Sequence, residues 1–86
     1  MNINDLIAII KKKLKIEIEI EKIEIEDKSF LHKNHKGHQD GKFHLKLIIT
    51  SDELKKLNRI ESNKKVYKIL NKEIIEYIHS LQILIC

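Results

Sequence analysis

The sequence predicts one small α+β domain whose elements follow the order helix, strand, strand, helix, strand. Apolar residues repeat every three or four positions near the start of the chain and again in its last third, as they do on one face of a helix. Two segments between these parts alternate apolar and polar residues, and the chain closes on a short apolar segment, as strands do. This order favours a three-stranded mixed sheet whose apolar face is covered by two helices.

The length and composition limit the chain to a single domain over residues 1–86, because 86 residues supply one hydrophobic core. Apolar residues form 42% of the chain and occur in ordered blocks, so we expect a folded domain despite 35% charged residues. No apolar run reaches the roughly 18 to 20 residues of a membrane span. The single cysteine, Cys86, cannot close an internal disulfide, which is typical of a reducing compartment. We therefore expect a cytoplasmic protein that makes no membrane contact.

The first helix is predicted over residues 4–15, beginning at Asn4. Lysines at 11–13 lie near its carboxyl end, where the helix dipole favours positive charge. The first strand is predicted over residues 22–27, where isoleucine alternates with acidic residues. Residues 16–20 leave two alternatives open, since a longer helix and a bulged strand would both shift the phase of the pattern.

The second strand is predicted over residues 43–50, after a long hairpin loop rich in glycine, asparagine and aspartate. Residues 50–53 resemble a capping box, which predicts a short helical turn in which Glu53 reaches back to the start of the turn. The second main helix is predicted from about Ser62 to about Tyr77. Residues 79–86 are then expected to add the third strand.

Several of these segments together resemble the BolA family. The segment HLKLIITSDEL at residues 44–54 is similar to the family pattern His-Phe-x-Val-x-Ile-Val-Ser-x-x-Phe, and IHSL at residues 78–81 is similar to its His-Ala-Leu. Asp27-Lys28-Ser29 and Val66-Tyr67 occupy matching places, so the resemblance covers nearly the whole chain. It implies an αββαβ fold akin to class II KH domains, in agreement with the order that periodicity predicts.

Three loop histidines, His32, His35 and His38, have the spacing His-x2-His-x2-His. Imidazole binds zinc, copper, nickel and iron, but a structural zinc site usually needs four nitrogen or sulfur ligands. The residues alone leave three alternatives: a self-contained zinc site, a solvated loop without metal, and an incomplete site that a partner completes.

The resemblance favours the third alternative. BolA-like proteins pair with monothiol glutaredoxins and share a bridging 2Fe–2S cluster, for which the partner and glutathione supply thiolates. By this resemblance, His79 is one metal ligand of the chain and either His35 or His38 is the other. From the residues alone, His79 instead fits a core histidine, because it shares a strand face with apolar residues. His44 is expected to be a surface or strand-pairing residue, and Cys86 is expected to point away from the His79 face.

The alternative function is a nucleic-acid-binding transcriptional regulator. It rests on the KH-like fold, the net charge of +4, and five lysines around the second helix: Lys55, Lys56, Lys64, Lys65 and Lys68. Family members commonly carry Arg-His-Arg where this chain has Ser62-Asn63-Lys64, so the basic cluster is diluted here.

Enzyme activity is not expected, because the sequence contains neither a glycine-rich phosphate loop nor a nucleophile elbow. The sequence-based hypothesis is an adaptor for iron–sulfur cluster handling, iron-responsive regulation or the stress response. It is expected to be a monomer alone and a heterodimer with a glutaredoxin.

Overall fold

The computed structural model describes residues 1–29 and 42–86, which form one three-stranded sheet and four helices. The elements are, in chain order, α1 (Ile3–Glu17), β1 (Lys22–Asp27), β2 (Phe43–Thr50), α2 (Asp52–Lys55), α3 (Arg59–Ile69), α4 (Asn71–Tyr77) and β3 (Ile78–Ile85). The strand order is β1-β2-β3, with β1 antiparallel and β3 parallel to β2. The predicted α+β class and mixed sheet are therefore confirmed.

The core lies between one face of the sheet and the helices. Helix α1 contributes residues four positions apart, whereas β2 contributes every second residue, as helical and extended periodicities require. All of them are almost completely buried: Leu6, Ile10 and Leu14 from α1, Leu45, Leu47 and Ile49 from β2, and Val66 from α3. The face of β2 that carries His44, Lys46, Ile48 and Thr50 is the opposite one.

The stretch that sequence left open, residues 16–20, is a helix end followed by irregular chain. Helix α1 continues to Glu17, and Ile18 leaves it in an extended conformation while its N–H still donates to the Leu14 carbonyl at 2.8 Å. Ile18 is buried in the core. Burial of this side chain turns the chain towards β1, so no bulged strand forms before Lys22.

The capping-box prediction is correct for Ser51 and wrong for Glu53. The Ser51 hydroxyl accepts the Leu54 N–H at 3.2 Å and caps α2. Glu53 does not reach back along its own turn. Its carboxylate instead accepts the Glu19 N–H at 3.2 Å and a hydrogen bond from Lys65 Nζ at 2.7 Å, because tertiary folding brings these two donors within reach.

The predicted second helix is two helices with a break at Leu70. Helix α3 starts at Arg59, three residues before the predicted start, because the Asn58 side chain caps it by accepting the Glu61 N–H at 2.8 Å. Leu70 leaves the helical conformation at φ −96° and ψ 13°, and its side chain is completely buried. The two predicted covering helices therefore correspond to α1 and to the pair α3 and α4, and the predicted short turn corresponds to α2.

None of the helices built from the described residues is both long enough and apolar enough to cross a membrane.

Candidate functional site

A β-bulge at the start of β3 places His79. Phe43 of β2 is opposite Ile78, but the next residue, His44, is opposite Ser80, so β3 carries one residue more than β2 at this point. Ile78 is buried in the core and Leu81 is half-buried, whereas His79 and Ser80 between them are exposed. The interpretation of His79 as a core histidine is therefore wrong, because the extra residue changes which side chains face the core.

His44 is buried beside His79, so its interpretation as a surface residue is wrong and its strand-pairing role is right. It retains only 3% of its exposure. Its ring centroid lies 4.7 Å from that of His79 at an interplanar angle of 68°, an edge-to-face contact. The structure thus brings together two histidines that are 35 positions apart in sequence.

Both neighbouring strands hold His44 in place. On the β1 side, its N–H donates to Ser29 Oγ at 3.1 Å and its carbonyl accepts the Lys28 N–H at 2.7 Å. On the β3 side, His44 Nδ1 and Ser80 Oγ lie 2.7 Å apart, a hydrogen bond whose donor depends on the tautomer of the ring. The Ser29 N–H in turn donates to Asp27 Oδ1 at 2.9 Å. The ring of His44 is therefore a fixed support for His79.

Sequence reasoning did not assign a role to Ser29 or Ser80. The available signal was that both belong to the short motifs Asp27-Lys28-Ser29 and IHSL at residues 78–81. Aspartate two residues before serine is also typical of a local turn in which the carboxylate accepts a backbone N–H. Neither pattern indicates that both serines contact the same histidine, because that depends on the pairing of three strands.

One acidic and one basic residue near this end of β1, Glu26 and Lys28, form an ion pair. Lys28 Nζ lies 2.8 Å from Glu26 Oε2. The hydrogen bond from Lys28, followed by the charges of Lys28 and Lys46, lowers the pKa of Glu26 below its ordinary value. Glu26 is therefore an ion-paired carboxylate in this structure.

The described residues do not by themselves supply a complete metal site. His32, His35 and His38 lie outside the described residues. Within residues 1–29 and 42–86, no group of three or more histidine, cysteine, aspartate or glutamate side chains is placed to hold a metal ion. A 2Fe–2S cluster takes four ligands, so this part of the chain fits such a cluster only as a donor of imidazole to a site that other ligands complete.

Cys86 remains outside the site, although not for the reason that the sequence indicates. Counted across the bulge, Cys86 alternates onto the same side of the sheet as Ser80, so the expectation that it points away from His79 fails. Distance excludes it instead, because the seven residues from His79 to Cys86 span roughly 23 Å of strand. The thiol is exposed at the far end of β3.

The five lysines proposed for nucleic-acid binding include residues that line two different grooves. Lys65 and Lys68 line a groove of about 530 Å³ between α1 and α3, and Lys65 is paired with Glu53 at 2.7 Å. Lys55 lines a different groove, between α3 and β3, together with Arg59. Lys56 and Lys64 are exposed.

Fold and site together define a small α+β domain with an exposed histidine at a bulge of its mixed sheet. The family model described as BolA-like protein matches residues 14–85. The chain belongs to the BolA-like protein family.

Individual relatives agree with this assignment. The chain is 30% identical over 73 residues to the protein named DNA-binding transcriptional regulator BolA from Haemophilus influenzae, a match that covers 85% of this chain and 68% of the relative. Among solved structures, BolA1 from Arabidopsis thaliana is 30% identical with a TM-score of 0.76, over 91% of this chain and 86% of that chain. The BolA domain of SufE1 from Arabidopsis thaliana is 28% identical with a TM-score of 0.75, over the same shares.

Proposed function

We propose that this protein is a BolA-like adaptor that binds a monothiol glutaredoxin and co-ligates a bridging 2Fe–2S cluster in iron–sulfur cluster handling or iron-responsive regulation. The observation that carries the proposal is the exposure of His79 at the bulge, directly against the fixed ring of His44. An exposed imidazole on a rigid support is suited to donate to a metal centre that a second protein brings.

The incomplete ligand set supports a shared site. His79 with either His35 or His38 would supply imidazole nitrogen, and the chain has no cysteine near His79 to supply a thiolate. Thiolates would therefore come from the glutaredoxin and from glutathione. Replacing thiolate by imidazole makes such a cluster less negative and raises its reduction potential, as in Rieske centres.

The residues around His79 have distinct tasks in this proposal. The bulge turns His79 out of the core, and the ring of His44 limits how far the His79 ring can rotate. The Ser29 and Ser80 hydroxyls hold His44, so they act through it. Such second partners normally orient a metal-binding residue and tune the affinity of the site.

Reconstitution with iron and sulfide tests the proposal. We expect a mixture of this protein with a monothiol glutaredoxin and glutathione to give a heterodimer whose visible absorption and circular dichroism differ from those of the glutaredoxin homodimer. His79→Ala should remove that difference. Gln82→Ala, at an exposed position on the same strand, is the matched control and should leave the heterodimer spectrum intact. A His79→Ala heterodimer with the wild-type spectrum would show that the ligand assignment is wrong.

Single substitutions distinguish the two candidates for the second ligand. We expect either His35→Ala or His38→Ala, but not both, to alter the spectrum as His79→Ala does. If neither changes the spectrum, the chain contributes His79 without a loop histidine.

A nucleic-acid-binding regulator is the second candidate function. It is favoured by the name of the Haemophilus influenzae relative and by the proximity of Lys55 and Arg59 in one groove. Lys65 and Lys68 line a different groove from Lys55 and Arg59, which reduces the continuous basic area that a phosphate backbone could contact.

A further inference from the structure

Within residues 1–29 and 42–86, no strand pairs with the outer edge of β3, which we call the open edge. β3 is the last strand in the order β1-β2-β3, so only its inner edge pairs with β2. Just beyond the end of β3, the Cys86 N–H donates to the Ile49 carbonyl at 2.8 Å and the Cys86 carbonyl accepts the Ser51 N–H at 3.4 Å. Alternate residues of a strand direct these groups to opposite edges, so the backbone groups of Ile83 and Ile85 point to the open edge.

Residues 81–85 of β3 lack the charged residues and proline that normally protect the edge of a sheet. Proteins usually block strand addition with charged side chains or proline on the edge strand. The opposite edge strand, β1, carries four charged residues in its six positions, whereas residues 81–85 of β3 have the sequence LQILI. Leu84 is 47% exposed. The β3 edge is therefore suited to accept another strand.

A groove runs along the β3 edge, which we call the β3 groove. It consists of two adjoining cavities of about 450 and 420 Å³ between α3 and β3. Both cavities are lined by Arg59 and Asn63 of α3 and by Ile83 and Leu84 of β3. The space beside the open backbone groups is thus bounded by a helix on one side, as in grooves that bind an extended peptide.

Tyr67 shows that the edge is accessible to a hydrogen-bond donor in the groove. Its hydroxyl donates to the Leu81 carbonyl at 2.9 Å, and its side chain is 41% exposed. A peptide N–H placed one pair further along the strand would meet the Ile83 carbonyl in the same way. Tyr67 therefore marks one end of the open segment.

The charge of the β3 groove identifies the kind of occupant. Lys46, Lys55 and Arg59 line it, and no acidic residue of the described chain does so. Lys55 and Arg59 make no ion pair with another described residue. A second copy of this chain would bring the same basic groove and a net charge of +4. A nucleic acid would satisfy the cations but could not pair with the open N–H and carbonyl groups as a strand does.

We propose that the β3 groove binds an extended acidic segment of a partner protein, which adds to the sheet as a fourth strand beside Ile83 and Ile85. Backbone hydrogen bonds to the edge supply affinity, the apolar side chains of the segment cover Leu84, and its carboxylates meet Arg59 and Lys55. This proposal does not depend on His79, a metal or a glutaredoxin.

A model peptide tests the proposal on the isolated chain. The probe is a capped octapeptide of alternating glutamate and valine, followed by amide NMR spectra and calorimetry in the absence of metal. We expect the Ile83 and Ile85 amides to shift and to gain protection from hydrogen exchange. Arg59→Glu should weaken binding at least tenfold, and a lysine–valine peptide should not bind. Arg59→Glu should not disturb folding, because a carboxylate is favourable in the first turn of α3.

Matched controls separate strand addition from general charge attraction. Lys12→Glu changes the net charge equally at an exposed position on α1 and should leave the affinity within twofold. A peptide with N-methyl groups on alternate amides should lose binding. Equal binding of the N-methylated peptide, or an equal loss in Lys12→Glu, would overturn the proposal. So would edge amides that shift with protein concentration alone, or tighter binding of an eight-residue oligothymidine than of the peptide.

Discussion

Ser80 shows how much a single hydroxyl can contribute to the arrangement of this site. Its Oγ is 2.7 Å from Nδ1 of the buried His44, and His44 in turn contacts His79. The serine itself is exposed, so its importance comes from its partner and not from its own burial. If a buried imidazole loses such a partner, the folded state becomes less stable, because the imidazole has already been removed from water.

Ser80→Ala is therefore expected to lower the free energy of unfolding by about 1 kcal/mol, the usual contribution of one hydrogen bond to a partly buried group. Urea denaturation monitored by circular dichroism measures this change. Gln82→Ala, two residues along the strand, is the control and should change the free energy by less than about 0.5 kcal/mol. Equal stability of the two variants would mean that the contact with His44 contributes nothing.

At the scale of elements, Glu53 joins three parts of the chain. It belongs to α2, accepts the N–H of Glu19 after the end of α1, and pairs with Lys65 of α3 at 2.7 Å. The hydrogen bond from Lys65 lowers the pKa of Glu53 most, and the N–H of Glu19 lowers it further. The ionised carboxylate thus links α2 to α3 and to the chain segment that follows α1.

Glu53→Gln is expected to lower the midpoint of urea unfolding at pH 7 and to have little effect in acid. A carboxyl whose pKa is lowered by folding stabilises the native state above its unfolded pKa, about 4.3 for glutamate, and this contribution disappears as the pH falls through the folded pKa. Urea titrations at several pH values from neutral to acid measure the difference from wild type. Glu21→Gln, at an exposed position, is the control. A difference that persists unchanged in acid would contradict the role of the charge.

Sequence periodicity predicted the strands at this scale better than the helices. The ranges 22–27 and 43–50 agree with β1 and β2, because alternate burial is a property of consecutive residues. The break at Leu70 was not predictable from its helical spacing. Leu70 continues the apolar stripe of α3 and is completely buried, so its position in the pattern is that of an ordinary helical core residue.

At the scale of the whole molecule, the chain has a net charge of +4, and basic residues of its described part line two separate grooves. Lys55 and Arg59 line the β3 groove, whereas Lys65 and Lys68 line the groove between α1 and α3. Lys13 and Lys65 are each paired with a glutamate at 2.7 Å. Among the described residues, the basic side chains of these two grooves are therefore separate, and the ion pairs reduce their free positive charge further.

We therefore expect weak DNA binding without sequence preference. Affinity for duplex DNA should fall steeply as salt rises from about 50 to 200 mM, because release of counterions from the phosphates dominates non-specific binding. Fluorescence anisotropy with several unrelated duplexes across this range measures both properties. Sequence-selective binding that survives physiological salt would favour the regulator over the adaptor.

The sequence by itself determined the α+β class, two of the three strand ranges and the resemblance that points to His79, because these depend on residues close together in the chain. Only the tertiary structure decided that His79 is exposed, that His44 supports it, and that the β3 edge opens into a basic groove. Each of these depends on how β3 aligns with β2, and a single extra residue at the bulge changes the direction of the side chains that follow.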